Sequence, residues 1–197
     1  MRRIIVNEFL TLDGVMQAPG APDEDRSGGF EHGGWQMLYF DDVAGKAIMD
    51  AFDATGGLLL GRVTYEIFAG YWPSPSASED EPLAEIINSL PKYVVSSTLE
   101  EPLGWNNSLL VSGNVAKELE ELKQEIGKDL QVIGSGGLAQ TLMENDLVDE
   151  YRLMIHPVVL GTGKRLFRDG NPKTSLRLVE STVSSTGVLI ATYAPER

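Results

Sequence analysis

Short apolar runs alternate with segments of helical spacing along most of this chain. The runs predict buried strands over residues 2–9, 58–61, 93–96, 108–111 and 130–133. The helical spacing predicts helices over residues 42–54, 63–71, 83–90, 115–126 and 138–144. Because strands joined by helices run in the same direction, this order predicts a mostly parallel sheet with helices packed on it.

The C-terminal part of the chain has a different pattern. A long strand is predicted over residues 150–160, and residues 176–183 and 188–193 alternate like the arms of a hairpin. We therefore expect about eight strands, parallel in the middle and antiparallel at the C-terminal edge. A chain of 197 residues can enclose a ligand within one domain, so residues 1–197 are predicted to form a single α/β domain.

Stretches rich in glycine, proline and acidic residues mark the loops. Residues 17–34 predict a long mobile loop that lacks the apolar residues for a core of its own and that could act as a lid. Gly56-Gly57 is expected to end the first helix, and residues 73–82 are expected to form a surface loop.

The charge balance and the absence of cysteine exclude several functions. The chain has 29 acidic and 16 basic residues, and no basic cluster is longer than Arg2-Arg3, so we expect no nucleic-acid partner. Without cysteine there are no disulfides or thiolate chemistry, and a cytoplasmic location is the expectation. The apolar run after Arg3 is too short for a signal peptide or a membrane span, so we expect no membrane association and a mature chain that starts at Met1.

The strongest local signal is a glycine-rich turn between the strand at 130–133 and the following helix. Backbone N–H groups in such a turn approach an anion closely, and a helix N-terminus favours phosphate. The candidate cofactor-binding residues of this turn are Gly134, Ser135, Gly136, Gly137 and Leu138. A plain strand-to-helix turn is the alternative. The spacing also matches the dinucleotide pattern G-x-G-x-x-A, but the acidic residues Asp149 and Glu150 precede the next strand instead of ending it.

Polar residues follow two other predicted strands. Gly61, Arg62 and Thr64 come where the strand at 58–61 turns into a helix, and such strand ends present ligands in open α/β sheets. Ser96 and Ser97 close the strand at 93–96. A solvated arginine and turn-forming serines are the alternatives.

Together these three segments resemble the dihydrofolate-reductase-like superfamily, in which a Gly-Arg-x-Thr segment, a Ser-Ser pair and a later glycine turn bind NADPH. Residues 147–151, 156–161 and 163–167 are most similar to the reductase domain of the bacterial bifunctional riboflavin-biosynthesis enzyme and its stand-alone relatives. The resemblance covers nearly the whole chain and implies the three-layer fold of that superfamily. It places Arg62, Thr64, Ser96 and Ser97 near the adenosine 2′-phosphate, and residues 134–138 near the pyrophosphate.

The chain departs from both the riboflavin reductases and the dihydrofolate reductases at the residues that would act on the substrate. Riboflavin reductases carry a basic residue after the first Asp-Gly and an acid before the paired glycines, where this chain has Val15 and Ser135. The remaining candidates are Asp13, as a substrate ligand or a turn former, and Asp42, as a buried proton relay or a helix cap. No metal site is expected, because His32 and His156 lie far apart in sequence.

The resemblance implies hydride transfer from the C4 position of NADPH to a C=N or C=O bond of a small heterocycle. The implied activity is similar to 5-amino-6-(5-phosphoribosylamino)uracil reductase or dihydrofolate reductase, so the substrate would be an aminopyrimidine, a pterin or a similar ring. One alternative is a dimeric nucleotide-binding protein of the same fold without turnover, and another is a Rossmann dehydrogenase. We expect a homodimer, because the stand-alone relatives resemble dimers and the apolar strand at 151–160 would need a cover at a sheet edge.

Overall fold

The computed structural model describes residues 1–74 and 81–196. Its strands are β1 Ile4–Thr11, β2 Thr55–Gly61, β3 Lys92–Val95, β4 Ser108–Val111, β5 Asp129–Ile133, β6 Glu150–His156, β7 Leu176–Val183 and β8 Leu189–Pro195. Its α-helices are α1 Asp42–Asp53, α2 Arg62–Tyr71, α3 Glu81–Ser89, α4 Val115–Gln124 and α5 Gly136–Glu144. No helix within the described residues is long and apolar enough to cross a membrane.

The strands form one sheet in the order β4-β3-β2-β5-β1-β6-β8-β7. Every pairing from β4 to β6 is parallel, and β8 pairs antiparallel with both β6 and β7. The predicted mostly parallel sheet with an antiparallel C-terminal hairpin is therefore confirmed.

The sheet is central because its middle strands are buried on both faces. Leu58, Leu59 and Leu60 of β2 have no exposed surface. Side chains alternate along a strand, so Leu59 packs with Ile4 in one core cluster while Leu58 and Leu60 pack with Phe52 in another. This two-sided burial agrees with the layered arrangement predicted for the fold.

Two predicted helix ends are wrong. Helix α1 ends at Asp53, and Gly56-Gly57 lies inside β2, where a Cβ on Gly56 would come within 2.8 Å of the Lys128 backbone. Gly56 therefore allows a close approach of the residue that precedes β5, and neither glycine ends a helix. Helix α4 stops at Gln124 because Glu125 is extended, which leaves Ile126 99% exposed instead of on the buried helix face.

The predicted strand at 150–160 is shorter and lies elsewhere in the sheet. Strand β6 ends at His156, because Pro157 has no N–H to donate to a neighbouring strand. Strand β6 also lies between β1 and β8, so it is not an edge, and the edge argument for a homodimer is wrong. The edge strand on that side is β7, on which Leu178, Val179 and Val183 are each about half exposed.

The loop at 17–34 contains no strand or α-helix, but it has a small core. Val15, Ala18, Phe30 and Trp35 form a buried cluster, which contradicts the expectation that the loop lacks one. The Trp35 indole N–H donates to the Gln17 carbonyl at 2.8 Å. Of the predicted surface loop at 73–82, residues 75–80 lie outside the described residues and Pro82 belongs to α3.

Candidate functional site

A groove of about 1610 Å³ runs past the carboxyl ends of β2, β3 and β5. Every residue predicted to bind the cofactor lines it: Gly61, Arg62, Thr64, Ser96, Ser97, Gly134, Ser135, Gly136, Gly137 and Leu138. The segments come together because the ends of parallel strands meet at one edge of a sheet. We call this part of the groove the cofactor half. Its role in binding stays a prediction.

The glycine turn has the backbone geometry that an anion site needs. Gly134 and Ser135 are left-handed, with φ of 56° and 55°, and α5 starts at the next residue. The first N–H groups of α5 have no partner within the helix and face outward at its N-terminus. A Cβ on Gly137 would meet nothing within 4 Å, so this backbone is open to a ligand. The turn therefore fits a pyrophosphate group.

The hydroxyl groups of Thr64 and Ser135 link the two sides of the cofactor half. Thr64 Oγ1 accepts from the Ser135 N–H at 2.8 Å. Ser135 Oγ accepts from the Gly61 N–H at 3.0 Å and donates to the Ile133 carbonyl at 2.9 Å. Ser135 is therefore engaged within the protein, and its side chain fixes the turn that its backbone forms.

The two serines after β3 have different surroundings. Ser96 is buried, and its Oγ accepts from the N–H groups of Thr98 and Leu99 at 3.1 and 3.0 Å. Ser97 is exposed within the groove. Ser96 thus holds a turn, as the alternative of a turn-forming serine predicted, and Ser97 is the serine that is exposed to the groove.

Sequence reasoning identified one arginine at the cofactor half, and the structure has two. Arg62 forms an ion pair of 2.9 Å with Glu66 on the exposed face of α2. Arg168 lines the same groove, and one of its terminal nitrogens lies 3.0 Å from the position of a Cβ on Gly136. Among the described residues, no ion pair involves Arg168. No local pattern could reveal it, because Arg168 reaches the turn from a distant part of the chain.

Neither of the tentative catalytic aspartates lines the groove. Asp13 accepts from the Thr11 hydroxyl at 2.6 Å and from the Gly161 N–H at 2.9 Å. Burial raises the pKa of Asp13, but these hydrogen bonds outweigh it and lower the value to about 2. Asp42 is exposed and so is not a buried relay, while Asp41 caps α1 by accepting from the Ala44 N–H at 2.9 Å.

Glu8 is the carboxyl that the sequence analysis missed. It lies on β1, is 4% exposed and lines the groove, and its Oε1 has no hydrogen-bond partner among the described residues. Burial raises the pKa of Glu8 well above its usual value, the N–H of Gly134 opposes this shift, and the nearby charge of Glu24 adds to it. Burial therefore favours the protonated form of Glu8. The sequence could have indicated Glu8, because it is a lone acidic residue inside a strand that is buried on both faces.

Part of the groove lining is apolar. We call these residues the apolar half; they come from α1, α2, α3, the segment before α1 and the residue after α2. They are Phe40, Ile48, Met49, Phe52, Ile67, Phe68, Tyr71, Trp72, Leu83 and Ile87. Small-molecule sites typically measure about 300–1,000 Å³. The groove of about 1610 Å³ is larger, so a cofactor and a second small molecule fit side by side.

The histidines do not line the groove. His156 is buried against the rings of Phe9, Trp35 and Tyr39 at 5.1 to 5.9 Å. Burial lowers the pKa of His156, and hydrogen bonds from its Nδ1 to main-chain carbonyls only partly oppose this shift. Within the part of the chain that the structure describes, no group of acidic or histidine side chains is arranged to hold a metal ion.

Comparison with known proteins agrees with this architecture. The chain is 32% identical to the uncharacterized protein YyaP of Bacillus subtilis over 98% of its own length and 94% of that protein. The "putative riboflavin biosynthesis protein" of Shewanella sp. PV-4 has a TM-score of 0.75 and 24% identity, with 99% of both chains covered. A pyrimidine reductase-like protein of Corynebacterium diphtheriae has a TM-score of 0.68 and 11% identity, and the match covers 100% of this chain and 92% of that protein. These two structures establish the similarity of the fold.

A family model extends this similarity to the whole domain. The model of the RibD C-terminal domain matches residues 2–190, from before β1 into β8. That family is reductase-like and is generally associated with nicotinamide cofactors. The chain belongs to the RibD C-terminal domain family.

Proposed function

We propose that this protein is an NADPH-dependent reductase that transfers a hydride to a C=N or C=O bond of a small heterocycle. One observation carries the proposal: all ten predicted cofactor residues line one groove, which is also lined by the buried carboxyl of Glu8 and by a set of apolar side chains. Family membership makes a nicotinamide cofactor the expected partner, and NADPH is our choice because a fixed cation follows β2.

The chain would hold the cofactor through its backbone and two cations. The N–H groups at the start of α5, together with Arg168, would bind the pyrophosphate. Arg62 and Ser97 would bind the 2′-phosphate, and Arg62 would exchange its ion pair with Glu66 for the phosphate. Bound NADPH supplies the hydride from C4 of its nicotinamide.

Glu8 would supply the proton. Reduction of a C=N bond adds a hydride to carbon and a proton to nitrogen, so a donor must reach the substrate. Burial favours the protonated form of Glu8, which lines the groove, and its carboxylate would regain a proton from water after each turnover. Neither carboxyl proposed from the sequence lines this groove, since Asp13 and Asp42 lie outside it.

The direct test is to measure cofactor binding and oxidation separately. NADPH should bind, and its absorbance should fall in the presence of at least one member of a panel of pterins, aminopyrimidines and quinones. Binding without oxidation by any of them would support the alternative of a nucleotide-binding protein without turnover. Tighter binding of NADH than of NADPH would contradict the proposed cofactor.

We also propose a homodimer, now on a different argument. Strand β7 is an edge of the sheet within the described chain, and Leu178, Val179 and Val183 on it are exposed. Edge strands with apolar side chains favour pairing with a second strand. Light scattering should give about twice the chain mass of 21.5 kDa, and a value of one chain mass would contradict the dimer.

A further inference from the structure

The apolar half has features that select one class of substrate. Building on the proposed reductase function, we infer that it takes an uncharged planar ring that carries carbonyl or imine acceptors, and that it rejects the phosphorylated form of such a ring. This differs from the phosphoribosyl substrate that the family resemblance implies. Three kinds of observation support the inference: unpaired buried polar groups, aromatic walls, and the distribution of charge.

Buried polar atoms without partners mark where a ligand would bind. Of the four such side-chain atoms among the described residues, three belong to residues that line the groove. They are Glu8 Oε1, Gln131 Nε2 and the indole Nε1 of Trp72. A buried donor without a partner costs about 1–3 kcal/mol, so a partner supplied by a ligand would remove that cost.

The identity of these groups specifies what the ligand must offer. The Gln131 side-chain oxygen accepts from the Thr55 hydroxyl at 2.5 Å, so its NH₂ group is the end without a partner. The Trp72 indole N–H is also a donor, and the Glu8 carboxyl is one when it carries a proton, the form that burial favours. The groove therefore offers neutral donors, which match carbonyl oxygens and ring nitrogens.

The aromatic walls indicate a flat ligand. The ring of Trp72 lies 6.0 Å from that of Phe68 and 5.0 Å from that of Tyr71, in edge-to-face arrangements. Aromatic and apolar walls around a few oriented polar groups are typical of sites for planar ring compounds.

The charges around this half oppose an anion. The Lys and Arg side chains that line the groove among the described residues are Arg62 and Arg168, which are assigned to the cofactor, and Lys164. The loop contributes Asp23, Glu24 and Asp25 to the groove, and Lys164 is paired with Asp25 at 2.7 Å. A phosphate here would lose hydration without gaining a cation and would face acidic groups.

The test uses pairs of rings that differ only by a phosphate. Riboflavin with FMN, and uridine with uridine 5′-phosphate, are titrated by calorimetry against the protein saturated with NADP⁺, so that the cofactor half is filled and no hydride is consumed. At least one uncharged ring should bind at least about tenfold tighter than its phosphorylated partner. Equal binding, tighter binding of the phosphorylated form, or no binding of either uncharged ring would overturn the inference.

Variants separate a ligand-binding role from a structural one. Trp72→Phe keeps an aromatic ring but removes the unpaired donor, so it should weaken binding of the uncharged ring about 2- to 12-fold, measured at a temperature at which both proteins remain folded. Glu24→Gln should reduce the ratio of affinities between the uncharged and the phosphorylated ring at least about threefold. Glu31 is an exposed acid of the same loop that lies outside the groove, so Glu31→Gln should leave this ratio unchanged. Unchanged ring binding in Trp72→Phe would contradict the assigned donor.

Failure of this inference can be distinguished from failure of the proposed function. If NADP⁺ does not bind, the proposed cofactor is wrong. The same pairs are then titrated against free Arg168→Ala, which lacks the unpaired cation of the cofactor half and so still reports on the apolar half. If NADP⁺ binds but the phosphorylated rings bind better, the reductase proposal stands and the substrate class is wrong.

Discussion

The side-chain oxygen of Thr64 accepts a 2.8 Å hydrogen bond from the backbone N–H of Ser135. Thr64 belongs to the first turn of α2 and Ser135 immediately precedes α5, so this single bond joins the two helix starts that flank the cofactor half. The left-handed conformation of Ser135 is unfavourable for a residue with a side chain, and a partner for its N–H helps to hold it.

Replacement of Thr64 should therefore weaken both the fold and the glycine turn. Thr64→Val leaves the Ser135 N–H without its partner, which should cost about 1–3 kcal/mol of unfolding free energy in urea. Thr64→Ser retains the hydroxyl and is the matched control. Its unfolding free energy should differ from that of the wild type by no more than about 0.5–1.5 kcal/mol. Equal stability of Thr64→Val and wild type would show that the bond is not important for the fold.

The two arginines of the cofactor half should affect cofactor binding differently. Arg62→Ala should weaken NADPH by about 10- to 150-fold, because a charge-assisted hydrogen bond contributes about 1.5–3 kcal/mol, and should leave NADH nearly unchanged. Arg168→Ala should weaken both cofactors in parallel, because both carry the pyrophosphate.

Titration of both cofactors against the two variants checks this assignment. Glu66→Gln is the control for Arg62, because it removes the competing ion pair and should strengthen NADPH slightly. A parallel loss of both cofactors in Arg62→Ala would mean that Arg62 does not bind the 2′-phosphate.

The buried acid Glu8 should make the protein less stable as the pH rises. Its pKa in the folded state lies well above 4.5, so above about pH 4.5 the unfolded chain releases a proton that the folded protein retains. Stability is therefore lost from about pH 4.5 up to the folded pKa. Glu8→Gln keeps the shape and cannot ionise, so its urea midpoint should decline less between pH 5 and pH 7 than that of the wild type.

The same variant tests the catalytic assignment. If the wild type reduces a substrate, Glu8→Gln should lose about 10²- to 10⁴-fold in turnover, the usual contribution of a positioned acid. NADPH binding should stay within about twofold. A Glu8→Gln protein with wild-type turnover and the wild-type pH profile would rule out Glu8 as the proton donor.

The buried residue His156 should make the protein less stable as the pH falls. Its pKa is lowered in the folded state, so as the pH falls below about 6.5 the unfolded chain takes up a proton and stability is lost. His156→Phe retains an aromatic ring among its neighbours and removes this titration. Between pH 8 and pH 5.5 the unfolding temperature of the wild type should therefore fall by more than that of the variant. An equal fall in both proteins would contradict the lowered pKa of His156.

The order of strands and helices could be predicted because its causes are local. Leu58, Leu59 and Leu60 form a run that can be buried on both faces only as a central strand, and the glycines before α5 require a tight turn. The cofactor half could be predicted from these two signals, because the carboxyl ends of parallel strands lie at the same edge of a sheet.

The missed features depend on contacts between distant parts of the chain. Gly56 lies within a strand because Lys128 approaches it closely, and Arg168 reaches Gly136 from a loop that follows it by many residues. Nothing near either residue in the sequence indicates these contacts. Glu8 is an intermediate case, because an acid within a mostly apolar strand was visible in the sequence but its burial depends on the whole sheet.

Polar side chains of the loop at 17–34 also bind a distant part of the chain. Gln17 accepts from the Lys164 N–H at 3.0 Å, and the Lys164 ammonium pairs with Asp25 at 2.7 Å. The same segment continues to Arg168, so one set of contacts joins the acids beside the apolar half to the cation beside the glycine turn. Occupancy of either half should then alter affinity in the other, and thermodynamic reciprocity requires the factor to be equal in both directions. This loop would thus couple the binding of two ligands instead of merely covering them.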